Sequence, residues 1–427
     1  VTLESRLLEA LSQWRQAPAW RVAFSGGLDS TVLLHALVQL AERHQLPPIS
    51  AIHIHHGLQS AADVWPEHCR QFCVRLGVPL HVVHVQVRPG ASLERGAREA
   101  RYAAFASSLK GGELLLTAQH RDDQAETLLF RLLRGAGVRG LAAMPVSRAL
   151  GSGWLLRPLL AVARSELESW AQAHQLQWVD DPSNQSLEHS RNFLRHQVMP
   201  VLEQRWPQAS ANMARAAAHL GEAQSLLDEL AAMDLQDAQV SVEWPWLPVP
   251  SLDLSALRAL SPARQRNALR HWLNPLTPLP DTDHWAGWQA LRDAAVDATP
   301  CWRLAGGELH RAGNRLWWLS GSWLESVTGE LAWSDTCAAL SLPANGRVSL
   351  EGAEHGAFKV GYRKGGEVMS LPARGRRDLK RLLNETAVPG FLRSRLPLLY
   401  CDGELVAVAN LPHLNVTTVS LIWTPLT

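Results

Sequence analysis

The sequence predicts an α/β N-terminal domain on an open, mainly parallel sheet, followed by a mostly helical middle domain and a small α+β C-terminal domain. Three observations carry this. The first ~200 residues alternate short apolar runs with amphipathic stretches, the rhythm of strand–helix units. Polar segments follow three of those apolar runs, where an open parallel sheet places its ligands. Beyond them an Ala- and Leu-rich stretch gives way to short strand-like pieces separated by glycines. A chain of 427 residues is too long for one ordinary core. The expected divisions are 1–208, 209–320 and 345–427.

In chain order, strands are expected at 20–24, 49–54, 79–85 and 113–118, from apolar runs bounded by turn residues. Helices are expected between them at 30–43, 63–75, 93–109 and 122–134. Another should cover 164–174, where Arg164-Ser165-Glu166-Leu167 opens an amphipathic run. A long helix follows at 209–234. Residues 240–250 (V-S-V-E-W-P-W-L-P-V-P) read as a Pro/Trp-rich connector. Helices resume at 255–273 and 283–296, then strand-like pieces at 302–304, 308–311 and 315–319. Residues 320–344 read as a weakly patterned linker. The last part has short strands and one basic helix, Arg376 to Glu385.

Hydrophobic content of 46% with 19% charged residues fits a globular protein. No run approaches the ~18 apolar residues of a membrane span. The first ten residues, V-T-L-E-S-R-L-L-E-A, form a charged amphipathic helix rather than a signal peptide. The five cysteines are scattered without a C-x-x-C, which suggests neither a zinc ribbon nor a thioredoxin site and fits a reducing cytoplasm. Net charge is only +1, but residues 359–395 hold ten Lys/Arg against three Asp/Glu, a local balance of +7. Average neutrality hides a basic C-terminal segment of the kind that reads phosphates. The 18 tryptophans are expected in cores and interfaces.

The most informative segment is V-A-F-S-G-G-L-D-S, residues 22–30. A buried strand, a sharp Gly26-Gly27 turn and a helix start make an anion site. Glycine lets backbone come close, and the first helical N–H groups and the dipole point at the charge. Ser25, Ser30 and Thr31 add hydroxyls, and Asp29 a carboxylate able to hold Mg2+. There is no G-x-x-x-x-G-K-S/T, so no lysine is set to reach a γ-phosphate. The second motif is H-R-D-D-Q-A-E-T, residues 120–127, continuing into Arg131, Arg134 and a glycine-rich turn at Gly135. Its acids share one helical turn. They can merely complement the dipole, or hold an ammonium group or metal. His53, His55 and His56 form a third group. No spaced acid or cysteine completes a ligand set, so a pocket-lining loop is the preferred reading. D-D-P-S-N at 180–184 is turn chemistry, followed by Arg191 and Arg195 at i, i+4.

S-G-G-x-D-S resembles the pyrophosphate loop of the N-type ATP pyrophosphatases, the PP-loop superfamily. Together with H-H-G-L, H-x-x-D-D-Q-x-E-T, R-G-x-G-x-x-G-L, D-x-S-N before R-N, and the basic tail, it resembles the tRNA(Ile)-lysidine synthetase family over most of the chain. That resemblance implies ATP-dependent attachment of L-lysine to C2 of the wobble cytidine of a tRNA(Ile) with a CAU anticodon, through an adenylated intermediate. Implied for ATP are Ser25, Gly26, Gly27, Leu28, Asp29, Ser30, His53 and Gly135, with Mg2+ on Asp29. Implied for lysine are Asp122, Asp123 and Glu126, and for catalysis Asp29, Asp123, Glu126 and Arg191. Implied for tRNA are Arg131, Arg134, Arg195, Arg363, Lys364, Arg374, Arg376, Arg377, Lys380, Arg381, Arg393 and Arg395. A cytoplasmic protein without membrane partners follows, with the oligomeric state open, a homodimer included. The alternatives are another PP-loop enzyme such as a tRNA thiolase, and a non-catalytic tRNA-binding protein.

Overall fold

The computed structural model describes residues 2–57, 63–87, 93–239, 244–280, 283–295, 298–352, 356–372 and 374–426. By packing the chain divides into two compact units, Val1–Ser225 and Leu226–Thr427.

The first unit is built on six strands: β1 (Trp20–Ala23), β2 (Ile49–His55), β3 (Leu80–His84), β4 (Leu114–Leu116), β5 (Ser147–Leu150) and β6 (Gly153–Leu156). Their order is β3-β2-β1-β4-β6-β5. All neighbours are parallel except β5 and β6. The helices are α1 (Leu3–Ala10), α2 (Leu28–Ala41), α3 (Trp65–Arg75), α4 (Leu93–Ser108), α5 (Arg121–Leu132), α6 (Val138–Leu141), α7 (Arg164–Ala173), α8 (Ser190–Phe193) and α9 (Met199–Arg205). The four expected strands, β1 to β4, and the helices expected beside them agree to within a few residues; β5, β6 and α6 were not expected. Along β4 the side chains alternate between two cores. Leu114 and Leu116 join Trp20, Val22, Val32 and Leu37 on one face, while Leu115 joins Ile52, Phe105 and Leu155 on the other. The sheet is therefore covered on both sides, which is why its strands are apolar throughout rather than alternating. A tenth helix, α10 (Ala209–Gln239), carries the chain into the second unit.

Strand order reverses between β1 and β4: the chain leaves β1 for β2 and β3 on one side and returns to β4 on the other. Such a switch point opens a crevice at the carboxyl ends of the strands. The S-G-G-L-D-S loop follows β1 and the H-R-D-D-Q-A-E-T motif follows β4, so both enter that crevice.

In the second unit, β7 (Ser251–Asp253), β8 (Cys301–Leu304), β9 (Gly307–Ala312) and β10 (Arg315–Leu319) form an antiparallel sheet, β7-β10-β9-β8. It packs with α11 (Leu254–Arg258), α12 (Pro262–Leu273) and α13 (Ala286–Asp293). One helix was expected over 255–273. It breaks because Ser261 caps a new start, accepting the Arg264 N–H at 3.5 Å, with Pro262 in the first turn. Strand β10 serves two cores: Leu316 and Trp318 face the helices, Trp317 and Leu319 the tail.

The tail contains β11 (Glu330–Trp333), β12 (Leu340–Leu342), β13 (Gly346–Glu351), β14 (Phe358–Gly361), β15 (Val368–Leu371), β16 (Gly375–Asp378), α14 (Leu379–Glu385), α15 (Gly390–Arg393), β17 (Leu398–Cys401), β18 (Glu404–Val408) and β19 (Ser420–Thr424). The expected linker at 320–344 thus holds two strands; each is too short for its alternation to be legible. Arg395 pins the segment. Its guanidinium donates to the carbonyls of Ser322 (2.9 Å), Glu325 (2.7 Å) and Ala344 (2.8 Å). The expected helix from Arg376 begins only at Leu379, because Asp378 caps it by accepting the Arg381 N–H at 3.2 Å. Arg376 and Arg377 lie on β16 instead. Of the 240–250 connector, 240–243 fall outside the described residues, as does Leu58 of the H-H-G-L motif. Trp244, Leu247 and Val249 are core residues of the tail.

Gly153 is buried where β6 begins, and a Cβ there would overlap the Glu113 carbonyl. Gly153→Ala should destabilise the protein by about 1–3 kcal/mol, the usual cost of overpacking, read as a lower denaturation midpoint. An unchanged midpoint would mean that the β4–β6 edge yields easily.

Candidate active site

The loop after β1 is held by its own hydroxyls. Ser30 Oγ donates to the Gly27 carbonyl at 3.0 Å and accepts the Ser25 N–H at 3.2 Å; the two seryl oxygens lie 3.0 Å apart. Thr31 Oγ1 donates to the Gly26 carbonyl at 3.4 Å. Gly26 has φ +86°, and a Cβ there would stand 3.1 Å from Cys69 Sγ, so both the turn and its floor require glycine. Gly27 is the N-cap of α2 and supplies no side-chain cap. The first N–H groups of a 14-residue helix therefore face the crevice with the positive end of the dipole. Leu28 is buried beneath them. His53, on β2, lies behind the loop, its Nδ1 2.9 Å from the Phe24 carbonyl. Burial lowers its pKa, so it stays neutral. Gly135 (φ +71°) lies in the turn closing α5, on the same chain segment as Arg131.

Asp29 stands in the first turn of α2. Its Oδ1 is buried without a hydrogen-bond partner among the described residues. Burial raises its pKa, opposed by His120. A buried, unpartnered carboxylate oxygen beside a phosphate-type loop is a fitting ligand for a hard cation.

His120 caps α5. Its Nδ1 accepts the Asp123 N–H at 3.4 Å while Asp123 Oδ2 accepts the His120 N–H at 3.1 Å, a reciprocal capping box. In the neutral ring this places the proton on Nε2, which lies 3.4 Å from Asp123 Oδ2 and 3.7 Å from Asp29 Oδ2. Burial pulls the His120 pKa down, but Asp122, Asp123 and Asp29 outweigh it and the net shift is upward.

The remaining acids are tied elsewhere. Asp122 Oδ2 accepts the Arg164 N–H at 2.9 Å, at the start of α7. Asp123 and Glu126 face two arginines. Arg191 donates to Glu126 Oε2 at 3.0 Å and Asp123 Oδ1 at 3.2 Å; Arg195 donates to Glu126 Oε1 at 2.6 Å, Glu126 Oε2 at 2.8 Å and Asp123 Oδ1 at 2.9 Å. Glu126 is 3% exposed. Arg195 belongs to a π-helical turn, Leu194–Val198, a device that often marks functional segments. Asn192 fixes this segment against the D-D-P-S-N turn by donating to the carbonyls of Ser183 and Ser186, both at 2.9 Å. Beside the cluster lies a cleft of about 250 Å3, lined by Asp122, Glu126, Arg164, Arg195, Met199 and Glu203 among others.

The structure thus gathers Ser25, Gly26, Gly27, Asp29, Ser30, His53, Asp122, Asp123, Glu126 and Arg191 around one crevice. Arg195, expected with the RNA contacts, joins them. His120 and Arg164 were not singled out as site residues; the reciprocal spacing of His120 and Asp123 was the available signal. Arg131 is turned inward, donating to the carbonyls of Gly140 (2.8 Å) and Ala143 (2.7 Å). Arg134 is exposed and stacks over Phe130.

In the second unit the basic residues separate by burial and partner. Arg395 is 4% exposed, its two terminal nitrogens donate to carbonyls and its plane stacks on Trp323, so it offers no guanidinium face to RNA. Arg363 lies 3.7 Å from Glu367, Lys364 2.7 Å from Glu330, Arg374 3.0 Å and Arg381 3.2 Å from Glu385. Arg393 donates to the Val388 carbonyl at 2.8 Å and to the Asn384 side chain. Arg376, Arg377 and Lys380 stand exposed, with no ion pair to a carboxylate among the described residues.

Burial would raise the Asp122 carboxyl, but the nearby His120 ring, the Arg164 backbone N–H and the Arg121 charge bring it down to about 2. A depressed folded-state pKa adds stability above the unfolded value of 3.8 that is lost as the pH falls toward 2. Asp122→Asn should therefore cost about 2 kcal/mol at neutral pH. The difference from wild type should vanish between about pH 4 and pH 2. Chemical denaturation at pH 7 and pH 3 checks this; an equal loss at both would assign the effect to shape rather than charge.

Comparison with known proteins extends the assignment beyond this crevice. Residues 1–202 match the PP-loop domain, 252–317 the TilS substrate binding domain and 358–416 the TilS substrate C-terminal domain. The chain is 62% identical over 416 residues to the tRNA(Ile)-lysidine synthase of Pseudomonas fluorescens, covering 97% of this chain and 94% of that one. It is 63% identical over 414 residues to that of Pseudomonas syringae pv. tomato, covering 97% and 93%. With that of Escherichia coli O157:H7 it shares 42% over 404 residues, 91% of each chain. Likeness of this degree over nearly the whole length shows that the chain belongs to the tRNA(Ile)-lysidine synthase family of enzymes.

Proposed function

We propose that the protein uses ATP to join L-lysine to C2 of the wobble cytidine, position 34, of the tRNA(Ile) with a CAU anticodon. The product, lysidine, would change both codon and amino-acid specificity from methionine to isoleucine. One observation carries this reading: His120 links Asp29, at the head of the loop helix, to Asp123 in the carboxylate–arginine cluster. A site for phosphates and a site for an amine are thereby contiguous, as a two-step ligation at one carbon requires.

In the first step the cytidine C2 oxygen attacks the α-phosphorus and pyrophosphate leaves. Its charge falls to the N–H groups opening α2 and to the Ser25 and Ser30 hydroxyls. Asp29 would hold Mg2+, which neutralises phosphate charge when bound. In the second step the lysine ε-amine attacks C2, the C2–O bond breaks and AMP departs with that oxygen. The amine must first lose its proton, and Asp123 and Glu126 are the carboxylates at hand. Arg191 and Arg195 balance the charge of both. The adjoining cleft carries both signs of charge around Met199 and Pro200, a lining suited to a zwitterion with a long aliphatic stem. We further assign catalysis to residues 1–208 and tRNA contacts to 209–320 and 345–427.

The reaction should release AMP and pyrophosphate only when lysine and the tRNA are both present for turnover. Asp29→Ala should abolish that release while leaving tRNA binding nearly intact. Chromatography of labelled ATP products tests it, and ADP with inorganic phosphate as the tRNA-dependent products would refute the chemistry.

The exposed trio Arg376, Arg377 and Lys380 should supply tRNA affinity rather than catalysis. Each lost phosphate contact lowers the slope of log affinity against log salt by about 0.7 to 0.9. A triple alanine variant should raise the tRNA KM, flatten that slope and leave ATP binding unchanged. Filter binding at two salt concentrations decides; an unchanged slope would shift recognition to other surfaces.

A further inference from the structure

On β8 and β9, in the segment matching the substrate binding domain, three metal-ligating side chains converge. Cys301 and His310 are directly paired across the two antiparallel strands, so they project from the same face. Glu308 is two residues from His310 on β9 and shares that face by the strand period. Cys301 Sγ lies 3.4 Å from Glu308 Oε2 and 3.5 Å from His310 Nε2; Glu308 Oε2 and His310 Nε2 are 2.8 Å apart.

These distances are close to those of three corners of one tetrahedron. With Zn–S of about 2.3 Å and Zn–N or Zn–O of about 2.0 Å, tetrahedral corners lie about 3.5 Å apart for sulfur and about 3.3 Å for nitrogen and oxygen. Closure around an ion needs only the histidine and glutamate to spread by about half an ångström. The neighbours favour this. Arg303 Nε engages Glu308 Oε1 at 3.1 Å and leaves Oε2 facing the cysteine and histidine. The Phe391 ring packs 5.9 Å from the His310 ring and limits its swing. Outer contacts of this kind orient ligands at metal sites. Cys301 is exposed while Glu308 and His310 are half-buried, so an ion has an entry path.

We propose that Cys301, Glu308 and His310 form a binding site for Zn2+ or a similar borderline transition ion, with the fourth position open to water or an outside ligand. One thiolate, one imidazole and one carboxylate select such an ion over Mg2+ or Ca2+, which prefer oxygen alone. The bound ion ties β8, an edge strand of its sheet, to β9. Binding couples to loss of the thiol proton, which passes to solvent.

The test uses the full-length protein without a histidine tag, stripped by chelator and titrated with Co2+. One equivalent should produce a thiolate-to-cobalt charge-transfer band that Zn2+ removes. Cys301→Ser should abolish the band, and His310→Ala should weaken binding by about 100-fold or more, at least the loss typical of an outer-shell change. Cys337→Ser, at another exposed cysteine, should leave it intact. Absence of the band in the wild type, or its survival in Cys301→Ser, would overturn the proposal. A second readout needs no variant: Zn2+ should protect Cys301 from alkylation, measured by peptide mass spectrometry, and unchanged labelling would overturn it equally.

Discussion

The constraint on which the first unit's chemistry depends is charge balance in a nearly dry place. Asp123 and Glu126 stand within one turn of α5, and Glu126 is almost wholly buried. Two carboxylates so placed repel each other and lose hydration, a cost that only paired cations offset. Arg191 and Arg195 remove both problems at once with bidentate and bridging hydrogen bonds. Removing one partner of such a set typically costs about 3–5 kcal/mol, because it strands a buried charge. The segment carrying the arginines is thus held by the acids, and Asn192 passes that order to the D-D-P-S-N turn. The turn's own approach is fixed at the other end by the Val179 N–H, which donates to the Gly26 carbonyl at 2.9 Å. Hydrogen bonds thus run from the phosphate-type loop through this turn to the arginines and on to the acids of α5.

The same economy governs the phosphate side. A helix start with no side-chain cap is ordinarily a defect, since its first N–H groups lack acceptors. In α2 the omission leaves those donors for a ligand. By contrast α5 is capped twice over by His120 and Asp123, and α7 is met by Asp122. Of the three helices entering the crevice, the one facing phosphate is left open and the other two are closed by groups that also carry the site's charge.

In the second unit aromatic packing replaces electrostatics as the organising principle. Trp246 lies 5.7 Å from Trp423, which in turn lies 6.3 Å from Trp323. Arg395 stacks over Trp323 at 5.0 Å. Several of the chain's tryptophans are consumed in this way, Trp317 and Trp423 being among the most buried residues. Their abundance reflects thin β-layers that need large side chains to bury enough apolar area.

The sequence by itself determined the parallel α/β unit, because its strands are buried on both faces and stand out as apolar runs. It also determined the two loops of the crevice, because a phosphate-type turn needs glycine, hydroxyl and acid at fixed local spacing. Helix starts at Ser261 and Asp378 were legible in principle, since capping is local, yet periodicity ran the expected helices through them. The strands within 320–344 were not legible: each is three or four residues long and owes its order to the strand it pairs with, β11 to β14 and β12 to β13. Only the tertiary structure decided which arginines serve which purpose. Arg191 and Arg195 meet acids 65 to 72 residues distant, Arg395 is spent on carbonyls, and Arg376 and Arg377 stand exposed without a carboxylate partner among the described residues. Basic side chains look alike in a sequence; what separates them is burial and partner, and both are properties of chain segments brought together only by folding.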